Sequence, residues 1–182
     1  MAKHFHKFKR NLIVLGIGLL AACAQVRAEP LADFEGIAAR CRQAFEQRPV
    51  TEVVYAEAAN AWVKRSYAPA ELSYSARKTS STVSPFVARI EITEVAAARR
   101  GDDEDSARAL DVSMDGNLIR SVRSINFAYQ DNVWTVIGGT AGMEVKLDAN
   151  DAFSLVSKNK LSRDAVVGSK GPMAVCVGAS HY

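Results

Sequence analysis

Histidine is scarce in this sequence and lies only near its two ends, as His4, His6 and His181. A Ser-His-Asp triad or a Cys-His pair needs a histidine base inside the folded domain. A histidine-rich zinc site needs several histidines as ligands. The sequence therefore argues against these catalytic and metal sites, and we assign no catalytic, cofactor-binding or metal-binding residue.

The apolar run near the N-terminus is short. Residues 12–20 are apolar, whereas a helix that spans a bilayer needs about 20 such residues. Four basic residues precede this run and small residues follow it. This three-part layout is typical of a cleavable export signal, so we expect residues 1–28 to be removed on export.

Two cleavage sites compete at the end of this signal. Residues 20–23, Leu-Ala-Ala-Cys, resemble the lipobox of bacterial lipoproteins, which predicts loss of residues 1–22 and a lipid on Cys23. Residues 26–28, Val-Arg-Ala, fit the ordinary signal peptidase instead. The mature N-terminal mass distinguishes the two. We expect an exported protein, either periplasmic or attached to the membrane only through a lipid on Cys23.

The excess of positive charge belongs to the signal. Residues 1–28 hold five of the 23 Lys and Arg and none of the 20 Asp and Glu, which leaves 18 basic side chains against 20 acidic ones. A mature chain with a net charge near −2 lacks the excess of positive charge that is typical of nucleic-acid-binding proteins. We therefore expect no nucleic-acid partner.

Cysteine is also rare, since Cys41 and Cys176 are the only cysteines besides Cys23. In an oxidising compartment an even pair favours a disulfide, and two separate buried thiols are the alternative. Residues 29–182 have a length that suits one domain. We expect a single globular domain with a Cys41–Cys176 disulfide.

The spacing of apolar residues predicts an α+β fold. Steps of three and four within 31–47 indicate an amphipathic helix with Cys41 on its packed face. The mixed spacing of 51–67 favours a second helix. Alternation within 72–77 and 86–93 indicates antiparallel strands. We expect the N-terminal amphipathic helix to pack on a curved antiparallel β-sheet.

A hairpin is the clearest local signal of the later chain. If Asp131 and Asn132 form a two-residue turn, Tyr129 faces Trp134 and both lie on the core side of the sheet. The acidic stretch 101–105, Gly-Asp-Asp-Glu-Asp, is interpreted as a solvated loop. The remaining expectations are a strand at 107–113, a short helix at 151–161 and a covered strand at 173–177.

One stretch resembles a known type of domain. Residues 78–86, Lys-Thr-Ser-Ser-Thr-Val-Ser-Pro-Phe, run into an alternating strand and are followed later by Tyr129 and Trp134. This pattern is similar to small exported bacterial domains of unknown function with cystatin-like or NTF2-like folds, over residues 72–137. The resemblance implies a helix on a curved sheet and carries over no functional residue.

Trp62 and Tyr67 are the aromatic residues that the pattern places least firmly in the core. Aromatic side chains are enriched at interfaces, so the two form a candidate interaction surface. Scattered carboxylates could serve acid-base chemistry only if two of them were set at the right separation. The candidates are Glu57, Glu71, Glu91, Glu94 and Glu144.

The function expected first is that of a non-enzymatic envelope protein that binds another envelope protein, as an inhibitor, an immunity factor or an assembly accessory. It leads because the usual nucleophile-base and metal constellations are missing. The alternative is a small-molecule carrier with a pocket between helix and sheet. A carboxylate-dependent hydrolase ranks third. No cofactor is expected.

Overall fold

The structure is a computed structural model that describes residues 30–148, 150–170 and 172–178. The expected export signal, with Cys23, lies outside these ranges, so both cleavage sites stay predictions. In the described ranges one 3-10 turn, Glu57–Ala59, joins the first two strands. The helices and strands are α1 (Pro30–Glu46), β1 (Thr51–Ala56), β2 (Ala61–Tyr67), β3 (Glu71–Lys78), β4 (Phe86–Gly101), α2 (Glu104–Ala109), β5 (Leu118–Gln130), β6 (Val133–Lys146), β7 (Ser154–Leu161), α3 (Arg163–Val167) and α4 (Pro172–Gly178).

All the strands belong to one antiparallel sheet with the order β1-β2-β4-β5-β6-β7. Strand β3 pairs with the first half of β4, from Phe86 to Thr93, and β2 pairs with the second half, from Ala96 to Gly101. Both therefore lie along the same edge of β4. The predicted class is confirmed: an N-terminal helix packs on a curved antiparallel sheet.

Helix α1 forms because its apolar residues recur on one side. Its buried residues are separated by steps of three, one, three and four, which is the stripe of an amphipathic helix. This stripe packs on fully buried side chains of the central strands, among them Ile90, Ile125 and Phe127. The buried residues of α1 are Phe34, Ile37, Ala38, Cys41 and Phe45.

The C-terminal run is helix α4, so the strand expected at 173–177 is wrong. Pro172 occupies its first position, where proline does not interrupt helical hydrogen bonds. Met173, Cys176 and Val177 are buried at steps of three and four, which suits a helix side rather than a strand. The disulfide between Cys41 and Cys176 is confirmed, and it joins α1 to this helix.

Residues 51–67 form the β1–β2 hairpin instead of the expected helix. Cross-strand pairing runs from Thr51 opposite Ser66 to Ala56 opposite Ala61. Asn60 closes the turn in a left-handed conformation at φ 46°, which asparagine tolerates better than most residues. The alternation of Val53 and Tyr55 was therefore the informative pattern.

Two further expectations were wrong. Residues 107–109 of the strand expected at 107–113 belong to helix α2, and residues 110–113 form neither helix nor strand. The capping box of α2 joins Asp103 and Ser106. The acidic stretch is thus partly a helix start, and hydrogen bonds from Ser106 lower the pKa of Asp103. The helix expected at 151–161 is strand β7, which pairs with the free edge of β6.

The predicted hairpin of β5 and β6 is confirmed, with Tyr129 opposite Trp134. Asp131 and Asn132 have φ values of 50° and 65°, as a two-residue turn of the primed type requires. The register then shifts near Asn126, opposite Gly138. Gly138 has a φ of 137°, which only glycine adopts readily, so the glycine permits the bulge.

Replacing Trp134 with alanine should destabilise the protein by about 3–5 kcal/mol, because it leaves a large cavity. The indole is 3% exposed and lies 4.8 Å from the Phe34 ring and 5.3 Å from the Tyr129 ring. Its Nε1 also donates to the carbonyl oxygen of Pro30 at 2.9 Å. Urea unfolding measures the effect. The exposed neighbour Val133→Ala is the control, and equal midpoints for the two variants would contradict the packing.

Removing the disulfide by the double substitution Cys41→Ala and Cys176→Ala should lower stability by up to about 5 kcal/mol. The bond closes a loop with a sequence separation of 135, and this figure comes from the chain entropy that the loop removes from the unfolded state. Thermal unfolding with and without reductant provides the measurement. Two free thiols in the untreated protein would show that the bond does not form.

Candidate functional site

Helix α1 is shorter than the sheet face on which it lies, and a cleft opens where the helix ends. Along β4, Ile90 and Ile92 are fully buried, and the same face continues through Glu94, Ala96 and Ala98, since alternate residues share a face. These last three line a cleft of about 610 Å³. The cleft therefore continues the core of the domain without the covering helix.

Five elements contribute most of the apolar part of the cleft. Phe45 of α1 and Met173 of α4 form its upper wall, and Ile119 of β5 and Met143 of β6 form its floor together with the alanines of β4. Because Met173 lies three residues before Cys176, the disulfide between α1 and α4 holds this wall against the helix. The apolar wall is thus tied to the most buried part of the fold.

A buried carboxylate lies at the boundary between core and cleft. Glu94 is 7% exposed, and its Oε1 accepts a hydrogen bond from Nη1 of Arg48. Nη1 of Arg123 lies 3.6 Å from its other oxygen, Oε2. A buried charge is tolerated when it is paired, so the two guanidinium groups account for the position of Glu94.

Local structure brings both arginines to this point. Arg48 follows the last turn of α1, where its backbone N–H donates to the carbonyl oxygen of Phe45 at 3.3 Å. Ser121 of β5 is directly opposite Glu94, which makes Arg123 its diagonal neighbour on the same face. Long side chains reach across such diagonals.

The contacts continue from Arg48 to the outer strands. The Arg48 guanidinium lies over the Tyr67 ring, 3.6 Å from its centroid, and the Tyr67 hydroxyl donates to Glu52. Nη1 of Arg65 donates to the same carboxylate at 3.5 Å. We call the resulting set of six side chains the charged row: Arg123, Glu94, Arg48, Tyr67, Glu52 and Arg65.

The phenol of Tyr67 responds to this environment. Burial raises the pKa of Tyr67, and its hydrogen bond to Glu52 raises it further, because both favour the neutral phenol. The hydroxyl therefore stays a hydrogen-bond donor throughout the physiological pH range. Tyr67 and Arg65 thus both donate to the carboxylate of Glu52.

The residues singled out from the sequence lie in different places. Trp62 and Tyr67 are five positions apart in β2, so their side chains lie on opposite faces of the sheet. Tyr67 lines the cleft, whereas Trp62 contacts Tyr55, with ring centroids 5.6 Å apart. The two do not form one surface.

Of the five candidate carboxylates, Glu94 lines the cleft. Sequence reasoning did not single out its partners Arg48 and Arg123, or the pair Glu52 and Arg65. One signal was available, since Glu94 interrupts an alternating apolar face that Ile90 and Ile92 begin. A charged residue at a core position indicates a buried ion pair or a site.

Two structural findings concern only the described part of the chain. No three of its His, Cys, Asp or Glu side chains form a group that could hold a metal ion. None of its helices is long and apolar enough to cross a membrane. Comparison of the chain with protein-family models, curated proteins and solved structures finds no match.

Replacing Glu94 with alanine should destabilise the protein by about 3–5 kcal/mol, because it leaves a buried guanidinium without its partner. The Arg48 side chain is 11% exposed. The matched control is Glu91→Ala in the same strand, which removes an exposed pair with Arg89 and should cost less than about 1 kcal/mol. Urea unfolding of both variants tests this. Similar losses would contradict the buried pair.

Proposed function

We propose that this protein binds a small amphipathic molecule in the cleft and carries it without changing it chemically. The observation that supports this proposal is the cleft itself, a space of about 610 Å³ at the end of α1. Small-molecule sites are typically concave spaces of about 300–1,000 Å³ with apolar walls and a few polar groups that orient the ligand. The cleft combines the apolar walls around Phe45 and Met173 with the charged row, so it offers both an apolar surface and groups that could orient a polar head.

Hydrolysis is the weaker interpretation of the same site. Glycoside hydrolysis needs one of two carboxyl groups to donate a proton. Glu94 and Glu52 each accept a hydrogen bond from a guanidinium, so each carboxylate already has an arginine partner within the protein. Both side chains are therefore better suited to holding arginines in place than to acid catalysis.

The compartment proposed from the sequence agrees with one structural feature. A disulfide such as Cys41–Cys176 persists in non-reducing surroundings, which include the bacterial periplasm. This supports an exported carrier. Protein binding, the function expected first from the sequence, stays a prediction, because no feature of the described residues identifies a protein partner.

Filling the cleft should abolish binding without unfolding the protein. Decanoate, decanol and decylammonium are suitable probes, since each joins one polar head to one apolar chain. Native mass spectrometry of the mature protein should show at least one of them bound once per chain. Ala98→Leu should weaken that binding by at least about tenfold, because the added side chain occupies space that the ligand needs.

The control is Ala39→Leu, at an exposed position of α1. It should bind the probe as the wild type does. Melting temperatures of both variants verify that they are folded. Failure of all three probes to bind, or undiminished binding by folded Ala98→Leu protein, would overturn the proposed function.

A further inference from the structure

We infer that the ligand's polar end is an anion, a carboxylate or a phosphate, and that Arg123 is its main contact. This inference rests on the proposed function and adds the chemical class of the ligand. It follows from the charge balance of the cleft, the geometry of Arg123 and the position of the apolar wall.

The cleft is positively charged although the mature chain is not. Its charged side chains are four cations, Arg48, Arg65, Arg123 and Lys170, and two anions, which leaves a formal charge of +2. The chain after residue 28 has 18 basic and 20 acidic side chains. Charge of one sign concentrated in a cleft attracts ligands of the opposite sign.

The cations of the cleft are not equally neutralised. Glu52 accepts from Arg65, and Glu94 accepts from Arg48, so each carboxylate already has a guanidinium donor. Arg123 shares Glu94 with Arg48 and approaches it only to 3.6 Å. The excess positive charge among the three arginines therefore lies mainly at Arg123.

Arg123 also has donors to offer a ligand. Its guanidinium carries five N–H groups but donates no hydrogen bond to the described part of the chain. Its side chain is 40% exposed and lines the cleft. Planar guanidinium groups bind carboxylate and phosphate through two parallel hydrogen bonds. An anion in the cleft would therefore accept hydrogen bonds from the N–H groups of Arg123.

The apolar wall lies within reach of this contact. Ile119 is on the same face of β5 as Arg123, four residues away, which is about 13 Å along a strand. Met143 is directly opposite Ser121, midway between them. An anionic head at Arg123 thus places an attached apolar chain along Met143 and Ile119, which gives the amphipathic ligand one orientation.

Ligands that share one apolar chain and differ only in the polar head group test the inference. Calorimetric titration of the mature protein with decanoate and decyl phosphate should give at least about tenfold tighter binding than decanol, because hydrogen bonds between a guanidinium and an anion are stronger than those to a neutral hydroxyl. Decylammonium should bind more weakly than decanol. Arg123→Gln should lower decanoate affinity by at least about tenfold and leave decanol affinity unchanged.

Arg89→Gln is the matched control, since Arg89 is exposed, pairs with Glu91 and does not line the cleft. It should leave all affinities unchanged. Equal binding of decanoate and decanol would overturn the anionic head, and undiminished decanoate binding by Arg123→Gln protein would overturn its contact with Arg123. The proposed function stands in both cases. Binding of none of these probes would overturn both.

The anionic head can belong to a membrane lipid or to a free amphiphile. Vesicles containing phosphatidylglycerol distinguish these two sources. Cosedimentation of the wild type that is lost in Arg123→Gln protein would support an anion that belongs to a membrane lipid. Decanoate binding without cosedimentation would support a free amphiphile. Both results retain the anion, and cosedimentation that persists in the variant while decanoate does not bind would overturn its contact with Arg123.

Discussion

The ion pair between Arg48 and Glu94 links the end of α1 to the floor of the sheet, and the cleft depends on it. Burying an unpaired carboxylate costs far more free energy than one apolar contact contributes. Arg48 therefore has to follow α1 closely enough to reach Glu94. The helix ends there, and the sheet face beyond it stays uncovered. The boundary between core and cleft is thus an electrostatic requirement as much as a matter of helix length.

The disulfide completes the other side of the same arrangement. Cys41 lies one helical turn before Phe45 in α1, and Cys176 lies three residues after Met173 in α4. Phe45 and Met173, which lie beside the two cysteines, both line the cleft. The bond therefore stabilises the wall against which an apolar chain would pack. A preorganised wall favours binding, because less conformational entropy is lost when the ligand binds.

The fold was predictable from the sequence where the deciding information is local. The stripe of α1 and the Asp131-Asn132 turn depend on residues that are near one another in the chain. The ambiguous segment 51–67 and the C-terminal helix were assigned wrongly, because their structure depends on partners far away. Strand β2 pairs with the end of β4, and α4 packs on α1 across a separation of 135 residues at the disulfide. Tertiary contacts override weak local preferences.

The candidate site was not predicted from the sequence for the same reason, although Glu94 gave one indication of it. Arg48 and Glu94 are 46 positions apart, and no local pattern connects them. Within β4, however, the positions on one face change from Ile92 to Glu94 to Ala96. A carboxylate followed by small side chains satisfies neither the rule for a core nor the rule for a solvated face. Natural sequences depart from such consistency mainly at functional or strained sites. The departure at Glu94 therefore marks the point in the sequence where the packed core ends and the cleft begins.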